Sequence, residues 1–85
     1  MSEPRTTFDI CGEVEALVNA WCDRREFGAL REVLSGWPIA GGLTDDWGLL
    51  ARALHSLAGM HSLPAVERQA AKRLYVEIDY MLRNR

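Results

Sequence analysis

A chain of 85 residues with a net charge of −2 at neutral pH, 48% hydrophobic and 26% charged, has the composition of one globular domain near the smallest size that a single core can hold. Its 12 acidic and 10 basic side chains give no overall attraction to nucleic acid or to an anionic membrane. Arg52, His55 and His61 interrupt the most apolar segment well short of bilayer length, and the opening MSEPRTTFDI lacks the apolar run of a secretory signal, so the expectation is a soluble, cytoplasmic protein with no membrane partner.

Residues 1–6 are expected to be a frayed tail, with Thr7 or Asp9 capping a first helix over about 9–22. Along it Ile10, Val14, Leu17, Val18 and Trp21 share one face at about 100° per residue, whereas Phe27, Leu30, Val33, Leu34 and Trp37 cluster on roughly the opposite face. One straight helix cannot bury both sets against one core, so the chain should break within residues 22–26. The run DRRE, with Asp23 as an N-cap and Glu26 three residues on, has the form of a capping box at the same place. A second helix is then expected over about 24–34.

Residues 36–43, GWPIAGGL, hold three glycines and a proline and read as the one substantial loop. Thr44 is the expected cap of a third helix over about 45–60, with Asp45 and Asp46 at its positive end and Trp47, Leu50, Ala51, Leu54, Leu57 and Ala58 on its inward stripe. Pro64 can open a fourth helix over about 64–83. Its expected stripe is Leu63, Ala70, Leu74, Ile78 and Met81, widened by Val66 and Ala71. No segment alternates at period two, and short connections favour antiparallel neighbours, so the fold class is all-α: a small bundle of four helices, two antiparallel hairpins joined by the glycine-rich loop, in a single domain spanning 1–85.

The chemistry-bearing residues are few. Cys11 and Cys22 are separated by about 16 Å along one helix, beyond disulfide reach and unable to share a metal ion, and read as two reduced thiols. His55 and His61 are six residues apart and point to different sides of a helix, so no metal site is expected. His61 is expected to bond the carbonyls at the end of the third helix or to lie beside the core, and His55 to face solvent. There is no nucleophile elbow and no phosphate-binding loop, and Asp45 and Asp46 would repel an anion brought up by Gly41 and Gly42. Neither catalytic activity nor a cofactor is expected. A helix-turn-helix reading meets the same obstacle, since the two aspartates would face phosphates, and Glu67, Glu77 and Asp79 dilute Arg68, Lys72 and Arg73 on the fourth helix.

What remains is interaction. Trp37 and Trp47 bracket the loop and either plug one end of the bundle or line a groove for a partner. Leu49, Ala53 and Met60 on the third helix, with Val76 and Tyr80 on the fourth, fall off the inward stripes and would form a contiguous apolar patch if exposed. The expected function is a small interaction or regulatory module, self-associating as a homodimer and open to a further protein partner. A nucleic-acid-binding transcriptional regulator is the alternative, and a small enzyme or ligand-binding protein the third reading. The cadence AWCDRREFGALREVL followed by GLTDDW resembles short bacterial all-helical proteins of no established function, over roughly residues 14–50. That resemblance implies a bacterial, cytoplasmic origin and supplies no catalytic residue.

Overall fold

The computed structural model describes residues 7–37 and 44–83. The expected tail and most of the glycine-rich loop lie outside them, as do the side chains of Thr44 and Asp45. Four helices follow in order: α1 (Thr7–Arg24), α2 (Phe27–Val33), α3 (Thr44–Ala58) and α4 (Ala65–Arg83). The protein is a small all-α bundle, and its radius of gyration of 12.3 Å is close to the roughly 12 Å that a compact chain of this length should have.

The core is apolar throughout the described residues. Trp21, Leu50, Leu54, Leu57, Leu74, Ile78, Val14 and Val33 are its largest fully buried side chains, each worth about 1.5–3 kcal/mol in removal from water. The principal layer is the antiparallel pair α3 and α4, in which His55 meets Tyr75 while Gly48 and Leu82 line the same seam. Helix α2 packs on α1 and α3, and side chains bridge α1 to α4.

The interruption between α1 and α2 falls at Arg25 and Glu26, inside the window set by the phase change, but Asp23 does not make it. Asp23 lies in the last turn of α1, and α2 is preceded by Glu26, which makes no side-chain cap bond. The break is a left-handed C-terminal cap instead. Arg25 takes φ 58°, its N–H donates to the Cys22 carbonyl at 3.2 Å, and the Glu26 N–H reaches back to the Trp21 carbonyl at 2.8 Å. Carbonyls at the end of α1 are thereby satisfied without any side chain.

Helix α2 also presents a different face from the one its large residues suggested. Ala29 and Val33 are buried, Leu30 is half-buried, and Phe27 and Leu34 are exposed. The cause is small residues. Ala29, Val33 and Gly36 recur at helical spacing, and Gly36 lies so close to α3 that a Cβ there would come within 2.6 Å of the Leu49 and Leu50 backbone. Close backbone approach on that side turns the bulky side chains outward.

In α4 the carbonyl of Pro64 accepts the first helical bonds, from Glu67 and Arg68, each at 3.0 Å. Leu63, Ala71, Leu74 and Ile78 are buried, with Ala70 and Met81 half-buried, while Val66, expected to widen that stripe, is exposed.

Candidate interaction surface

The expected surface residues separate into three environments. Ala53 is only 2% exposed and belongs to the core, because α2 covers that flank of α3; it cannot contact a partner. Met60 is half-buried against the core, its methyl 3.5 Å from where a Cβ on Gly28 would lie. Trp47 is buried and Trp37 half-buried, and both pack against the core. Leu49, Val76 and Tyr80 are exposed.

These three do not make one patch. The Leu49 backbone abuts Gly36 at the α2 side of α3, whereas α4 meets α3 on the flank carrying Ala51 and His55. Val76 and Tyr80 lie on the outward face of α4, about 100–160° around that helix from the Tyr75 and Leu82 positions that face α3.

That outward face carries a row at alternating spacings of three and four: Val66, Gln69, Arg73, Val76 and Tyr80. All five are exposed, with Val66 at 77%, Val76 at 53% and Tyr80 at 68%. The spacing is that of a helix-pairing seam. Val66 was missed as a surface residue, although a signal existed: it stands fourteen residues before Tyr80, an interval that returns to almost the same side of a helix. Arg73, in the middle of the row, donates from Nη2 to Glu13 Oε2 at 3.0 Å and has Nε 3.8 Å from Glu77 Oε1. Its charge is balanced within the domain.

Among the described residues, two depressions flank α4. One, of about 220 Å³, runs between α1 and α4 over Ala16, Leu17, Ala70 and Leu74, with the Glu13–Arg73 ion pair among its lining residues. The other, of about 320 Å³, lies between α3 and α4. There His55 and Tyr75 stack at 5.0 Å with planes tilted by 58°, Arg52 and Asp79 stand beside them, and Asp79 accepts from Arg83 Nε at 2.9 Å. This cleft can hydrogen-bond a small polar molecule, but its lining holds no serine, threonine or cysteine for His55 to activate. His61 is exposed in the α3–α4 turn.

A polar cluster that sequence reasoning did not identify fastens α1 to α4. Buried Trp21 donates its Nε1–H to Glu67 Oε1 at 2.8 Å, and Arg24 forks onto the same carboxylate at 2.6 and 2.7 Å. The Arg24 hydrogen bonds hold the Glu67 carboxyl below its usual range, aided by Trp21 and opposed by partial burial. A buried indole N–H needs an acceptor, and that requirement was the available signal. Both cysteines are free; burial pushes the Cys11 thiol up, and Cys22 is exposed. Among the described residues no group of three or more histidine, cysteine or carboxylate side chains is placed to hold a metal ion, and no helix is long and apolar enough to cross a membrane.

No protein-family model, curated protein or solved structure matches the chain.

Proposed function

We propose that this chain is a small cytoplasmic interaction module that acts by associating with a second copy of itself and carries no catalytic centre. The observation that carries this reading is the set of large apolar side chains left in water after the core is filled: Phe27, Leu34, Leu49, Val66, Val76 and Tyr80. Three of them, Val66, Val76 and Tyr80, lie along one face of α4, and apolar groups gathered on one face are the mark of a surface that is covered in use. The nucleic-acid reading gains no support from the ion pairs, since Arg24, Arg73 and Arg83 are each engaged by carboxylates of the chain itself. Association of folded chains makes stability depend on concentration. The thermal midpoint is expected to rise by a few degrees as protein concentration increases from about 1 to about 100 µM. A midpoint constant across that range would contradict self-association.

A further inference from the structure

We propose that the cleft between α3 and α4 binds a small planar carboxylate, with the acidic group on Arg52 and the ring against His55 and Tyr75. The site needs no second copy of the chain and stands apart from self-association. Its basis is a charge that the fold leaves uncompensated. Two side chains of opposite charge border the cleft, Arg52 and Asp79. Asp79 is committed, since it accepts from Arg83 Nε at 2.9 Å. Arg52 is not: Arg24, Arg73 and Arg83 each have a carboxylate partner, whereas among the described residues Arg52 makes no ion pair. Its exposed guanidinium is a planar fork of donors, the geometry that a carboxylate fills through two parallel hydrogen bonds.

The same cleft supplies a surface and a space for a ring. His55 from α3 and Tyr75 from α4 stand 5.0 Å apart with planes tilted by 58°, and a third ring gains offset or edge-to-face contact with such a pair. Space comes from Gly48. Residues 48, 52 and 55 follow at spacings of four and three and share one face of α3, and a Cβ on Gly48 would have nothing within 4 Å. The missing side chain is therefore part of the cleft. Its volume of about 320 Å³ is at the low end for ligand sites and holds one ring with its acidic group. An open cleft of this size implies weak binding, with a dissociation constant of about 0.1–1 mM.

Titration of the full chain with sodium benzoate, followed by NMR of the assigned His55 and Tyr75 ring protons and of the backbone amides, tests the site. Saturable shifts are expected at those rings and along Gly48, Arg52 and Asp79. Benzamide, which keeps the ring without the charge, and acetate, which keeps the charge without the ring, should each bind about tenfold more weakly than benzoate. Arg52→Gln should weaken benzoate about tenfold, and because Arg52 is exposed and unpaired the fold is retained. Gly48→Leu should abolish binding by filling the cleft, while its thermal midpoint stays level or rises, since leucine is the better helix former. Three results overturn the proposal: no saturable shift up to about 10 mM benzoate, benzamide or acetate binding as tightly as benzoate, or undiminished binding in either folded variant.

Discussion

Replacing Gly36 with alanine should be among the most damaging single-methyl changes available in this domain. The backbone at Gly36 does not lie in the left-handed region, so the effect is purely one of space. The added Cβ would lie 2.6 Å from the Leu49 carbonyl carbon and from the Leu50 N and Cα. Ordinary carbon contacts need about 3.5–4.0 Å, so roughly 1 Å of displacement is required. The obstacle is helical backbone, which cannot rotate aside as a side-chain tip can. Overpacking of this kind costs about 1–3 kcal/mol, and the loss of glycine's unfolded-state freedom returns about 0.4–1 kcal/mol. A net loss of about 1.3 kcal/mol lowers the thermal midpoint by roughly 5–10 °C in a domain of this size. Gly12→Ala and Gly48→Ala are internal controls: both glycines are helical, nothing lies within 4 Å of an added Cβ, and each change should stabilise by about 0.5–1 kcal/mol. Thermal and urea unfolding followed by circular dichroism measures all three. A Gly36→Ala protein within about 0.5 kcal/mol of the parent would refute the close α2–α3 approach.

Arg25→Gly should stabilise by about 0.5–1 kcal/mol, because Arg25 holds the left-handed position that ends α1, whereas Asp23→Ala should stay within about 0.5 kcal/mol because Asp23 caps nothing; urea midpoints with the opposite ranking would refute the cap assignment. Glu67→Leu should cost about 1–3 kcal/mol by leaving the buried Trp21 N–H without its acceptor. Because the folded Glu67 carboxyl titrates below its unfolded value, its contribution is fully present above the ordinary glutamate range and is lost as pH falls through the folded pKa. An acid-unfolding profile identical in Glu67→Gln and the parent would contradict that linkage. Duplex DNA at physiological salt should give no submicromolar sequence-specific complex in a mobility-shift assay, and such a complex would promote the nucleic-acid reading.

The four helices were legible because the inward stripes of α1 and α3, and most of that of α4, are long, periodic and bounded by loop residues. The break after α1 was legible as a change of phase, but its mechanism was not. A left-handed arginine has no sequence signature, and the carbonyls of Trp21 and Cys22 are satisfied by backbone groups alone. In α2 the pattern misled because residue size, not hydrophobicity, decided the packing: Ala29 and Gly36 permit an approach that Phe27 and Leu34 would block. Ala53 was misplaced for a related reason, since its burial depends on α2 crossing that flank of α3. The Trp21–Arg24–Glu67 cluster joins residues 43 and 46 positions apart, beyond any local pattern. On the candidate surface, Val76 and Tyr80 were legible as off-stripe residues, and Val66, fourteen residues before Tyr80, carried the same signal but was assigned to the inward stripe.

Sedimentation equilibrium tests self-association most directly, because it reads mass without a label or a variant. The parent chain of 9.6 kDa should approach twice that mass as its concentration rises through tens of micromolar, and should return to the single-chain mass on dilution to about 1 µM. A mass of 9.6 kDa maintained up to about 100 µM would contradict the proposed function.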